Sequence, residues 1–132
     1  MNARMALRTT AVSLALTALF LVVLGCSSED GEQLYVQSCQ SCHGDAATGA
    51  GRLTALIPAH GPSGHTWHHA DGQLVDIVLG RFTYPGREMP SFAGTLSEEQ
   101  VESIIAYIKV GWNEEMREYQ AEVSRGWKEL NQ

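Results

Sequence analysis

The sequence predicts a mostly α-helical fold in one small domain. Three observations predict it. Apolar residues repeat at helical spacing in several segments of the chain. Runs with strand periodicity are nearly absent. The stretch from Gly44 to Gly64 holds five glycines and two prolines, which marks it as loop. At 132 residues the chain is too short for a multi-domain enzyme. Its 15 Asp and Glu against nine Lys and Arg give a net charge of −6, which argues against nucleic acid as a partner, because phosphate binding needs clustered cations. Thirteen glycines and three phenylalanines imply a modest core that needs something extra to hold it together.

The first segment reads as an address. Arg4 and Arg8 give a basic start, and an apolar run from Ala11 to Leu24 follows, interrupted by Ser13 and Thr17. That run is short against the roughly 20 residues of a membrane-spanning helix and suits the hydrophobic part of an export signal, about 7–15 residues long. Val23-Leu24-Gly25-Cys26 resembles a bacterial lipoprotein signal box, which implies a signal peptide over 1–25 and acylation of Cys26. The competing readings are a plain signal peptide and an uncleaved anchor, with Cys26 incidental. Acyl chains on Cys26 would hold the protein on a lipid membrane. Residues 26–32 are polar and acidic and read as a tether.

The elements follow in order. Gly31 to about Ser41 should form the first helix, with Leu34 and Tyr35 facing inward. After the glycine-rich loop, Asp71 to Gly80 reads as a short helix: Leu74, Ile77 and Val78 share a face, Asp71 caps the start and Gly80 stops it. Tyr84-Pro85-Gly86 is a turn. Ser97 and Gln100 have capping-box spacing, and Val101, Ile104, Ile105 and Ile108 then form an apolar stripe. Gly111 allows a bend before a helical tail in which Met116, Tyr119, Val123 and Trp127 share one face. This tail, 113–132, is expected to lie across the body and cover apolar surface; a partner-binding role is the alternative.

Cys39-Gln40-Ser41-Cys42-His43 carries the chemistry. Cys-x-x-Cys-His is the attachment signature of c-type haem. Two thiols one helical turn apart can form thioethers to the two vinyl groups of a porphyrin, and the adjacent His43 can then ligate the iron. A Cys39–Cys42 disulfide, a redox dithiol and a zinc site are the competing readings. The dithiol wants a βαβ context that is missing here, and zinc needs a fourth ligand that only scattered histidines offer.

Together, Gly31-Glu32-Gln33-Leu34-Tyr35, the Cys39–Gly44 segment, Glu88-Met89-Pro90-Ser91-Phe92 and Ala106-Tyr107-Ile108 resemble a class I, monohaem bacterial cytochrome c of the lipoprotein type. The resemblance covers roughly Gly31 to Trp112 and implies cytochrome c-like helices wrapped around one covalently bound haem c, with the cytochrome domain at 33–112. It makes Met89 the distal iron ligand opposite His43. It also implies that a proline carbonyl, Pro58 before Pro62, accepts the proximal histidine's Nδ1–H, although the local pattern departs from the usual Gly-Pro-x-Leu. In such proteins an aromatic of the closing helix meets a glycine of the first, here Tyr107 and Gly31 or a neighbour.

The expected function is electron transfer rather than catalysis. Six-coordinate iron would cycle between Fe(III) and Fe(II), passing electrons between membrane-bound donor and acceptor proteins, with the chain exported, lipid-anchored and facing the periplasm or the cell exterior. A second expectation is a haem or haem–copper enzyme or ligand sensor that uses the cluster His65, His68 and His69; the bland reading makes these residues a surface loop and a helix start, with Trp67 on the haem edge. A third is a structural subunit that relays electrons inside one complex.

Overall fold

The computed structural model describes residues 30–48 and 57–132. The expected signal segment 1–25 and Cys26 lie outside the described residues, as does the middle of the glycine-rich loop. The described elements are five α-helices and one 3-10 turn, Thr66–His68, with no β-strand among the described residues. None of the described helices is long and apolar enough to cross a membrane.

Helix α1 spans Gly31–Ser38, so Gly31 and Glu32 of the expected tether are helical. Asp30 caps it, its carboxylate accepting from the Glu32 N–H at 3.0 Å. The helix does not run on to Ser41. Cys39 leaves helical geometry at φ −121°, and a short helix α2, Gln40–His43, begins after it. The step costs little hydrogen bonding: the Cys39 N–H still donates to Tyr35 O at 2.8 Å, and Cys39 O accepts from the His43 N–H at 3.0 Å. Leu34 is partly buried and Tyr35 is only 1% exposed, both packed into the core as the pattern predicts.

Helix α3 spans Asp71–Val78. Its N-cap is Ala70, not Asp71. Asp71 is instead the first helical residue, and its carboxylate meets Lys109 Nζ at 2.6 Å and Gln120 Nε2 at 2.6 Å. Helix α4 spans Glu98–Val110 and starts with the full capping box: Ser97 Oγ accepts from the Gln100 N–H at 3.2 Å, and Gln100 Oε1 accepts from the Ser97 N–H at 2.8 Å. All four residues of its predicted stripe are buried, each removal from water stabilising by about 1.5–3 kcal/mol. Helices α1 and α4 cross at Gly31, where a Cβ would strike the Ser103 carbonyl and where Tyr107 Cβ lies 3.3 Å away.

Helix α5 spans Glu114–Leu130, with Asn113 as its N-cap. It lies against the 3-10 turn and α3. Its buried positions are Met116 and Gln120, while Tyr119, expected on the inner face, is exposed. A buried glutamine is tolerated because its amide is engaged: Nε2 reaches Asp71 Oδ1, Ser124 Oγ at 3.0 Å and His69 O at 3.2 Å.

Candidate functional site

Cys39, Cys42 and His43 share one turn. Cys39 is buried at 8% exposure, Cys42 is exposed, and both are free thiols. Burial, helped by the neighbouring Cys42, pushes the Cys39 thiol up to about 11, so its sulfur is held as a thiol rather than a thiolate near neutrality. The turn is fixed from below by Tyr35, whose hydroxyl donates to Gly44 O at 2.8 Å.

His43 is buried, and its Nδ1 lies 2.8 Å from Pro58 O. A carbonyl only accepts, so Nδ1 carries the proton and Nε2 keeps its lone pair. Among the described residues Nε2 has no hydrogen-bond partner, which leaves it available as a ligand. Pro58 is the residue placed here, and Pro62 is exposed elsewhere in the loop. The His60 ring stacks on the His43 ring with centroids 4.3 Å apart. Burial pushes His60 down to about 3, with His43 adding to the shift, so it is a neutral packing ring. Its Nδ1 pairs with Thr66 Oγ1 at 2.9 Å, and its carbonyl accepts from Trp112 Nε1 at 2.7 Å.

Met89 sits half-buried in the loop that follows α3. A helix ends with carbonyls that lack intrahelical partners. Here the Met89 loop supplies them. Gly80 turns the chain at φ +72°. The Phe92 N–H then donates to Val78 O at 3.0 Å, Ser91 Oγ donates to Leu79 O at 2.9 Å, and the Arg87 guanidinium donates to Ile77 O at 2.7 Å. Tyr84-Pro85-Gly86 forms the expected turn, with Gly86 at φ +81° and the Arg87 N–H donating to Tyr84 O at 3.2 Å.

Comparison with protein-family models matches residues 27–108 to cytochrome c oxidase, cbb3-type, subunit III. The chain belongs to this cytochrome c family. Over 96 residues it is 33% identical to the gluconate 2-dehydrogenase cytochrome c subunit of Pantoea cypripedii, an alignment covering 67% of this chain and 21% of that protein. Over 98 residues it is 33% identical to dihydro-heme d1 dehydrogenase of Pseudomonas aeruginosa, covering 74% of this chain and 18% of that protein. The cytochrome therefore spans only a minor part of either relative's length. No solved structure matches it significantly.

As a cytochrome c domain the chain is an electron carrier, and its family implies covalently bound haem c. The residues fit that group. Two free thiols three positions apart and an imidazole with a directed Nδ1–H are the donor set that thioether attachment and iron ligation require. The cluster His65, His68 and His69 is not assembled in the same way. The His65 and His69 rings meet edge-on at 5.6 Å, whereas His68 lies on Trp67 at 3.7 Å and beside Tyr119. Among the described residues no three His, Cys, Asp or Glu side chains are placed to hold one metal ion. Trp67 Nε1 donates to Gly64 O at 3.1 Å. The sequence offers His60, with the other loop histidines, as a candidate distal ligand, copper ligand or proton path, and the structure stacks its ring on His43. Arg87 carries no signal beyond its place two residues before Met89.

Proposed function

We propose that this cytochrome is a lipid-anchored, monohaem electron carrier. Cys39 and Cys42 hold haem c through thioethers, and His43 and Met89 ligate its iron. When bound, haem c supplies a one-electron Fe(III)/Fe(II) couple. The observation that carries the reading is the His43 imidazole, buried, directed by Pro58 and adjacent to two free thiols. Pro58 fixes the ring's tautomer and orientation, and the carbonyl's pull on Nδ1–H raises the basicity of Nε2. Met89 offers a soft, neutral thioether, which favours ferrous iron. Were His43 and Met89 both to hold the iron, no position on it would remain for a substrate. The sequence contains one Cys-x-x-Cys-His motif, which supports one haem. Acylated Cys26 would confine the carrier to the membrane plane, and its acidic surface suits redox partners with basic docking patches.

The relative named as the cytochrome c subunit of a dehydrogenase favours a second reading at the level of assembly: this chain serves as the cytochrome subunit of a dehydrogenase. Co-purification from solubilised membranes separates subunit from free carrier.

Met89→Ala tests the ligand assignment. Oxidised protein should lose the weak red absorption band of sulfur-ligated iron, and its reduction potential should fall. An unchanged spectrum removes Met89 from the site, and rapid carbon monoxide binding by the unsubstituted ferrous protein would favour the enzyme or sensor reading.

A further inference from the structure

We infer that Arg87 is the positioning residue for Met89: its guanidinium holds the loop in the form that presents the methionine to iron. The inference rests on the Met89 ligation proposed above. Four carbonyls from three segments converge on this one side chain. Nε donates to Met89 O at 2.8 Å, one terminal nitrogen to Phe82 O at 2.9 Å, and the other reaches Ile77 O at 2.7 Å and Pro90 O at 3.2 Å. Arg87 thus ties the outgoing limb of the loop, the returning limb and the end of α3 to a single planar fork.

The loop needs such a tie. Pro85 and Pro90 have no N–H, and between Thr83 and Pro90 the single backbone hydrogen bond among the described residues is the turn bond from Arg87 to Tyr84. Ser91 and Phe92 secure only its base. The charge is also spent on this task. Arg81, nearby, forms surface ion pairs with Asp76 at 3.3 Å and Glu98 at 2.7 Å. Arg87 has no carboxylate partner among the described residues and faces the negative end of α3 instead. A side chain that directs four hydrogen bonds at the backbone around one methionine sets where that methionine sits.

The test uses the full-length holoprotein, unsubstituted and as Arg87→Ala, Arg87→Lys and Arg81→Ala. Arg87→Ala should keep its haem covalently attached but lose much of the sulfur-ligation band, lower its reduction potential, and bind carbon monoxide in the ferrous state roughly tenfold faster or more, as loss of charge-assisted bonds frees the loop. Arg87→Lys keeps the charge without the fork and should fall between. Arg81→Ala should match the unsubstituted protein. An Arg87→Ala protein with unchanged band and carbon monoxide rate overturns the inference. Should that variant fail to mature, Arg87→Lys decides: an intermediate band supports the role and a full band overturns it. If the unsubstituted protein lacks the band, the Met89 assignment falls and the role of Arg87 with it, a failure distinct from loss of the Arg87 effect alone.

Discussion

Gln120 Nε2 lies 2.6 Å from Asp71 Oδ1 across 49 residues of chain. The contact fastens the last helix to the start of α3, and the Lys109 ammonium completes it from α4. The Asp71 N–H also donates to Ser124 Oγ at 3.0 Å, so a second residue of α5 joins the same helix start. The C-terminal helix is thus latched by polar groups at a place where a hydrophobic face was expected.

Replacing Gln120 by Leu should lower stability by about 1–3 kcal/mol, because the His69 carbonyl and one Asp71 oxygen lose their buried donor. Urea unfolding at pH 7 measures it. A variant as stable as the parent would mean that α5 is held by Met116 and Trp127 and that the latch is incidental.

The α1–α4 crossing makes a paired prediction. Gly31→Ala places a methyl group against the Ser103 carbonyl, and the resulting backbone shift should cost about 1–3 kcal/mol. Gly126 sits inside α5 with nothing within 4 Å of a Cβ, so Gly126→Ala should stabilise by up to about 1 kcal/mol. Thermal unfolding of both variants checks the pair; equal effects would contradict the close crossing.

Tyr35 gives the chain an alkaline limit. Burial holds its phenol well above the ordinary tyrosine value, with Cys39 and then Asp45 adding to the effect. The folded chain therefore keeps a proton that the unfolded chain releases. The stability linked to it is complete below the ordinary tyrosine value of about 10 and drains away as pH rises beyond that. Tyr35→Phe should lose about 1 kcal/mol at pH 7 with the bond to Gly44, and the gap to the parent should narrow above the tyrosine range. Urea midpoints across that range decide; a constant gap would contradict the buried phenol.

Local patterns were legible because local forces set them. The stripe from Val101 to Ile108 and the Ser97–Gln100 box depend on residues within a few positions of one another, and both form as read. Cys39, Cys42 and His43 were readable for the same reason. Pro58 was readable because family resemblance supplied the contact. Tertiary contacts that the resemblance did not supply were not readable. The break at Cys39 has no Pro or Gly to mark it. Asp71 looked like a cap until Lys109 and Gln120, distant in sequence, claimed its carboxylate. Arg87 binds carbonyls, which every residue carries, so no partner type could point to it.

The measurement that bears most directly on the account is the mass of the Cys39–Cys42 peptide from protein matured in its native envelope. Covalent haem attachment requires one porphyrin joined to that peptide through both sulfurs. Recovery of the peptide with two unmodified thiols, or with a Cys39–Cys42 disulfide and no porphyrin, would contradict it.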